Sequence, residues 1–161
     1  MDQGFNQTMN RLFQSAIQRM IPHRYPFLLV DRVTEFVPSR RIAGTKNFTA
    51  NEDALRGHFP GAPQAPAGLL IEMVTQLGAI LVLGRPGMEN KVAVILQIPA
   101  AQMLRLVTPG DSLRLEAEVI KLKETFGEMR GAAYCQGQLV AEGRMRFAVA
   151  DASSLLGEAR P

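Results

Sequence analysis

A histidine and a glutamate fourteen residues apart are the side chains in this sequence best suited to chemistry. His58 lies in the stretch GHFPG, and Glu72 lies alone in the almost wholly apolar stretch AGLLIEMVTQLGA (67–79). A carboxyl group taken out of water without a partner tends to keep its proton, which suits Glu72 to act as a general acid. His58 is then the candidate general base. The residues expected to position the imidazole are Gly57, Phe59, Pro60 and Gly61, whose glycines allow sharp turns and close backbone approach to a ligand.

The start of the apolar stretch supplies a third kind of functional group, a set of backbone N–H donors. Three prolines precede it, and the first residues of a helix there, Ala67 and Gly68, present unpaired N–H groups at the positive end of the helix dipole. A base, an acid and an anion-stabilising donor set are the parts needed to remove a proton next to a carbonyl and expel a leaving group. Taken singly, a loop histidine is more often structural. The alternative for Glu72 is that it pairs with an arginine or points into a subunit contact.

One long helix and about six strands are predicted to position these groups. Residues 67–83 are apolar on nearly every side, as in a buried helix, and residues 9–20 have the spacing of a short amphipathic helix. Apolar and charged residues alternate along the later predicted strands, which indicates an antiparallel sheet with one buried face and one solvent-exposed face. We expect an α+β fold in a single domain over 1–161, a sheet curled around one helix, with a frayed tail at 151–161. The predicted strands are 27–36, 41–48, 91–99, 112–123, 128–136 and 138–150.

Composition excludes several classes of protein. The net charge of +3, without a run of five basic residues, argues against a nucleic-acid partner. The longest apolar run, 69–83, is interrupted by polar residues and is too short to span a bilayer. The single cysteine, Cys135, rules out a disulfide framework and a thiolate metal cluster, so a buried core thiol is expected. The first residues lack the pattern of a signal peptide, which favours a cytoplasmic location.

The remaining histidine and the basic residues of the late strands receive structural interpretations. His23 lies in the proline-pinned segment IPHRYPF, with no acid nearby in the sequence, and a structural role is expected. The basic side chains of the late strands are expected to form a solvated sheet face, with docking of an acidic partner as the alternative. They are Lys121, Lys123, Arg130, Arg144 and Arg146.

Five motifs, in order, resemble the 3-hydroxyacyl-acyl-carrier-protein dehydratases of fatty acid synthesis over roughly residues 9–150. They are IPHRYPFLLVDRV, NEDALRGHFPG, PAGLLIEMVTQ, TPGDSLRLEAEV and QLVAEGRM. The resemblance implies the hotdog fold, with paired protomers, and it implies that His58 and Glu72 are the catalytic pair, each site taking one residue from each chain. Glutamate at position 72, where the isomerising relatives carry aspartate, favours dehydration without isomerisation.

The chain departs from this family pattern at four places. Ala67 stands where the family has the glycine whose N–H polarises the thioester carbonyl, and Ala65 stands where methionine is usual. Ala54-Leu55 replaces an aromatic pair, and Met103-Leu104-Arg105-Leu106 stands where Phe-Lys-Arg-Pro is common. The acid–base pair is intact, so these changes concern the acyl tunnel, carrier docking and the choice of substrate.

The expected reaction is dehydration of a (3R)-3-hydroxyacyl thioester on acyl carrier protein to the trans-2-enoyl thioester, without a metal or redox cofactor. The expected partners are the carrier protein, docking at the basic side chains of residues 121, 123, 130 and 144, and further copies of the chain, as a homodimer or a homohexamer of three dimers. Two alternatives stay open. One is a hotdog acyl thioesterase, which does not need His58, and the other is an inactive acyl-binding scaffold subunit, suggested by Ala67.

Overall fold

The computed structural model describes residues 12–156, which form one antiparallel sheet and three helices within that range. The helices are α1 (Gln14–Met20), α2 (Ala67–Leu83) and α3 (Ala152–Leu156). The strands are β1 (Arg32–Val37), β2 (Arg41–Asn47), β3 (Lys91–Met103), β4 (Ser112–Leu122), β5 (Phe126–Cys135) and β6 (Gln138–Asp151).

The six strands follow the order β1-β2-β4-β5-β6-β3, and every neighbouring pair is antiparallel. Helix α2 packs against strands from both halves of this sheet, which therefore wraps around it. This arrangement confirms the predicted α+β fold and the hotdog architecture. Among the described residues, no helix is long and apolar enough to cross a membrane.

Helix α2 begins and ends where its apolar pattern predicts. Every residue from Leu70 to Leu83 is buried except Glu72. A Cβ added at Gly78 would lie 2.0 Å from the Met129 sulfur of β5, so this glycine lets the helix approach the sheet closely. The core thus forms between α2 and the concave face of the sheet, and buried Cys135 belongs to it, as predicted.

Several predicted boundaries need correction. Residues 27–31 are not a strand, because backbone groups of Phe27 and Leu29 bond to the Gln76 side chain of α2 instead of a neighbouring strand. The first helix begins at Gln14, and residues 9–11 of the predicted range lie outside the described residues. Part of the predicted frayed tail, 152–156, is helix α3, while 157–161 also lie outside the described residues.

Strand β3 is longer than predicted and forms one edge of the sheet. It continues through Pro99 to Met103, with register shifts against β6 between Ile95 and Ala100. Proline is tolerated there because the free side of an edge strand needs no donor. From Leu96 onward its residues are exposed.

Candidate active site

The His58 ring is held by a single hydrogen bond that determines its tautomer. Nδ1 lies 3.0 Å from the Gln64 carbonyl oxygen, and the Gln64 N–H donates to the His58 carbonyl oxygen at 2.9 Å. Because a carbonyl only accepts, Nδ1 carries the hydrogen and Nε2 keeps its lone pair. The ring is half-buried and stacks on the Phe59 ring, with centroids 4.2 Å apart. Nε2 is therefore the nitrogen available as a base.

The two glycines beside His58 have different roles. Gly61 adopts a φ of +80°, which favours glycine, at the turn where the Ala62 N–H donates to the Phe59 carbonyl at 3.0 Å. Gly57 has no positive φ, and a Cβ there would contact nothing within 4 Å. Phe59 and Pro60 are exposed. Of the predicted positioning residues, Gly61 is thus the one that the backbone requires.

A buried lysine anchors the chain ahead of the His58 loop, and the sequence reasoning missed it. Lys46 is only 5% exposed, and its ammonium lies 2.7 Å from a Glu52 oxygen and 3.4 Å from an Asp31 oxygen. Asp31 also accepts the Asn47 N–H at 2.7 Å. A buried charge of this kind is retained only when it is paired. The network fixes the end of β2 and the start of the segment that leads to His58.

Glu72 lies in the second turn of α2 and is not enclosed within a single chain. Its side chain is 28% exposed, so the apolar helix alone does not shield the carboxyl group in one protomer. Oε1 accepts a hydrogen bond from Gln76 Nε2 at 2.9 Å. His23 Nε2 lies 3.7 Å from the same oxygen. The interpretation of His23 as a residue without a nearby acid is therefore also wrong, because its segment folds against α2.

Gln76, one helical turn after Glu72, is a site residue that the sequence reasoning did not single out. It is 1% exposed, and its oxygen accepts the Leu29 N–H at 2.9 Å. That contact fixes the orientation of the amide, because an N–H can meet only the oxygen. The NH₂ group consequently donates to both Glu72 Oε1 and the Phe27 carbonyl, the latter at 2.8 Å. A polar residue inside an apolar helix, four positions after the acid, was the available signal.

The start of α2 presents free backbone donors, as the sequence predicts. Pro66 precedes the helix, no side chain caps it, and no acidic residue lies in its first turn. The Leu69 N–H returns to the Pro66 carbonyl at 2.9 Å, whereas the N–H groups of Ala67 and Gly68 meet no acceptor among the described residues. Both residues are exposed. This end of the helix can stabilise negative charge on a bound oxygen.

His58 and Glu72 do not contact each other within the chain. Among residues 12–156, neither a hydrogen bond nor an ion pair joins them, and each has its own local partner. The structure does bring His23 and Gln76 to Glu72.

The candidate docking residues are all exposed. Lys121, Arg130 and Arg144 lie on β4, β5 and β6, and Lys123 directly follows β4. Arg130 pairs with Glu118 at 2.6 Å, and Arg144 pairs with Glu128. Lys121 has no carboxylate partner among the described residues, and the Lys123 ammonium lies 4.9 Å from the centre of the Phe126 ring. Two of the four basic groups are therefore already balanced by a neighbouring acid.

Comparison with known proteins identifies the family. Residues 21–144 match the FabA-like domain family. The 3-hydroxyacyl-acyl-carrier-protein dehydratase FabZ of Desulforamulus reducens is 46% identical over 135 residues, which cover 84% of this chain and 95% of that protein. The FabZ dehydratases of Pelotomaculum thermopropionicum and Enterococcus faecalis are 48% and 41% identical, covering 84% and 86% of this chain and 96% and 99% of those proteins. The chain belongs to this dehydratase family.

Solved structures support the fold of this dehydratase family at lower identity. The dehydratase heterocomplex ApeI:P from Xenorhabdus doucetiae matches with a TM-score of 0.73 and 18% identity, covering 87% of this chain and 94% of that chain. A hypothetical thioesterase from Streptococcus pneumoniae matches with a TM-score of 0.58 and 17% identity, covering 74% and 84%. At such identities the likeness concerns the fold alone, so it gives no support to the thioesterase alternative.

The departures from the dehydratase family pattern lie in two different settings. Ala65 and Leu55 are buried, at 5% and 3% exposure, and the Ala65 N–H donates to the Val107 carbonyl at 2.8 Å. Leu104 and Leu106, which replace part of a usually more polar segment, are 56% and 67% exposed after the end of β3. The former belong to the buried core on either side of the His58 loop, and the latter place apolar surface beside the sheet edge.

Proposed function

We propose that this protein dehydrates 3-hydroxyacyl groups carried by acyl carrier protein, with His58 as the base and Glu72 of a second protomer as the acid. The family assignment supports the hydro-lyase reaction. The observation that carries the assignment of residues is the tautomer of His58, because the bond from Nδ1 to the Gln64 carbonyl leaves the Nε2 lone pair free. A group in that state can take a proton without first losing one.

The reaction follows from these groups in one balanced sequence. His58 Nε2 takes the proton from the carbon next to the thioester carbonyl, and negative charge builds on the carbonyl oxygen. The N–H of Ala67, with that of Gly68, stabilises this charge together with the helix dipole. As the carbon–carbon double bond forms, the hydroxyl group leaves from the next carbon and takes the Glu72 proton. The products are water and the trans-2-enoyl thioester.

A second copy of the chain is the partner that best explains the exposed apolar edge strand β3 and the partly exposed carboxyl group of Glu72. Strand β3 is a thirteen-residue edge strand, and Leu96 and Ile98 on it are 65% and 47% exposed. A long apolar edge strand presents unpaired backbone groups, so it is normally protected by pairing or by another element. Helix α2 is buried in its own chain, so β3 supplies the contact. We propose that pairing along β3 forms a dimer in which Glu72 of one protomer meets His58 of the other.

Carrier docking is proposed for the basic end of the outer sheet face. Lys121 and Lys123 lie near the end of β4, and their charges are not neutralised by a carboxylate among the described residues. Arg130 and Arg144 contribute less net attraction, because each is paired. An acidic carrier protein would be steered by such a surface, with a strong dependence on salt.

The product of the reaction distinguishes this function from the two alternatives. Purified protein is incubated with a series of 3-hydroxyacyl carrier proteins of different chain length, and the products are identified by mass spectrometry. Dehydration removes one water from the carrier-bound acyl group. Release of free acid with unmodified carrier would instead establish a thioesterase, and binding without turnover of any substrate in the series would establish a scaffold.

Two substitutions at Ala67 separate the role of its N–H from that of its side chain. Ala67→Gly keeps the donor, and we expect only a few-fold change in kcat. Ala67→Pro removes it, and because proline is well tolerated at the first helical position, the fold should persist. We expect kcat to fall by about 10²–10³-fold, the usual cost of one donor to a developing oxyanion. Equal rates for the proline and glycine variants, both folded by circular dichroism, would exclude this N–H from the mechanism.

A further inference from the structure

His23 lies against the carboxyl group of Glu72 although forty-nine residues separate them in sequence. Its Nε2 is 3.7 Å from Glu72 Oε1. Its segment is fixed to α2 because Gln76 donates to the Phe27 carbonyl and accepts from the Leu29 N–H. A distance of 3.7 Å is longer than a hydrogen bond, but a shift of about 0.5–1 Å would close it. Catalytic hydrogen bonds are often this long before substrate binds.

The other ring nitrogen determines which form of His23 fits the site. Nδ1 is buried and has no hydrogen-bond partner among the described residues. A hydrogen on Nδ1 would be a buried donor without an acceptor, so the imidazolium and the Nδ1–H tautomer are both disfavoured. The remaining form is neutral, with its hydrogen on Nε2 and directed at Glu72. His23 is therefore a donor to the carboxyl group.

Both donors meet the same oxygen of Glu72. Gln76 Nε2 and His23 Nε2 each approach Oε1, and Oε2 has no hydrogen-bond partner among the described residues. In a protonated carboxyl group that accepts two N–H donors on one oxygen, the acid hydrogen lies on the other oxygen. Oε2 is then the atom that faces the reaction, and the two donors stabilise the charge left after its proton has gone.

We propose that His23 is a positioning residue for Glu72, which together with Gln76 holds Oε1 so that Oε2 delivers the proton to the leaving hydroxyl group. This role rests on the proposed function, because it assumes that Glu72 is the acid. His23 itself does not touch the substrate.

The charges around His23 agree with a neutral ring. Burial lowers the pKa of His23, the Glu72 carboxylate raises it, and Arg24 lowers it, with the net direction downward from 6.5. Glu72 on α2 and Arg24 on its own segment are the described charged groups that act on it. The Arg24 guanidinium is directed at backbone carbonyls at the end of α1, including that of Ile21 at 2.9 Å. At neutral pH His23 therefore remains an uncharged donor.

Two substitutions at His23 test the donor separately from the packing. Glutamine places an N–H near the position of Nε2, whereas leucine fills the space without a donor. We expect His23→Leu to lower kcat by about 10- to 100-fold, the range for one hydrogen bond to a charged group. KM should stay nearly unchanged, and His23→Gln should recover most of the rate. If the glutamine variant is as slow as the leucine variant while both melt near the wild-type temperature, the positioning role is wrong.

A titration independent of activity separates this proposal from the proposed function. The chain has two histidines, so in His58→Asn protein His23 is the only one, and its ring resonances can be followed by NMR against pH. Because the Glu72 carboxylate raises the pKa of His23, adding Glu72→Gln should move the His23 midpoint to lower pH. A midpoint and neutral-form ring resonances of His23 that both stay unmoved would overturn the contact, because loss of the Glu72 acceptor changes those resonances even where Glu72 is protonated. Dehydration by His58 and Glu72 would then remain intact. A shifted midpoint, together with wild-type protein that dehydrates no carrier-bound substrate, would instead show that the proposed function has failed.

Discussion

Replacing His58 with alanine is expected to lower kcat by about 10²–10⁴-fold, the contribution of one general base. The fold should persist, because the ring is half-buried and its side chain makes a single hydrogen bond, to the Gln64 carbonyl. The rate of enoyl formation on carrier protein measures the effect, and circular dichroism with thermal melting checks the fold.

Arg56→Ala provides the matched control for this loop. Arg56 lies two residues earlier, its side chain is 78% exposed, and it pairs only with Asp53 across one turn. Exposed ion pairs contribute little to stability, so this variant should stay folded. It should therefore keep nearly full activity. A folded His58→Ala protein that turns over as fast as Arg56→Ala would remove His58 from the mechanism.

Glu72→Gln is expected to cost a similar factor, about 10²–10⁴-fold in kcat, because an amide fills the same space but has no acid proton to give. Stability should be unchanged or slightly higher, since the ionisable group is lost at a partly buried position. Kinetics and chemical unfolding of the same preparations measure both effects.

The same substitution at Glu89, an exposed position after α2, controls for the loss of one negative charge. It should leave both rate and stability near those of the wild type. If Glu72→Gln unfolds the protein while Glu72→Ala does not, the residue is structural and the acid must be sought elsewhere.

The parts of the fold that depend on local pattern could be predicted from the sequence. Helix α2 is apolar on every side, and its bounds were set by Pro66 before it and Gly84 after it. The alternating strands were also found, to within a few residues. Segment 27–31 was misassigned because its backbone donors and acceptors are satisfied by the side chain of Gln76, nearly fifty residues away. No periodicity within the segment carries that information.

In the candidate site, too, some residues could be recognised from the local sequence, whereas long-range contacts could not. His58 and Glu72 stand out because each is a chemically unusual residue in its local sequence, and their roles remain predictions. The contact between His23 and Glu72 is long-range and depends on how the proline-pinned segment folds over α2, so local spacing could not show it. Lys46 could have been found, because the alternation in β2 places it on the same inward face as buried Ile42 and Gly44.

The proposed shared site accounts together for the exposed edge strand, the partly exposed carboxyl group and the separation of His58 from Glu72. In one chain, His58 and Glu72 each have a local partner and do not contact each other. If two chains pair, each site combines His58 of one protomer with Glu72 of the other. Dehydration then depends on the assembly and cannot occur in an isolated chain.

Mixed dimers test this claim most directly. His58→Ala and Glu72→Ala chains, each inactive alone, are co-expressed with different affinity tags, and dimers that carry both tags are purified. One site of such a dimer has both substitutions, and the other has neither. We expect about half of the wild-type rate of enoyl formation per dimer, since one of two equivalent sites is intact. Verified mixed dimers that are as inactive as their parents would contradict the shared site.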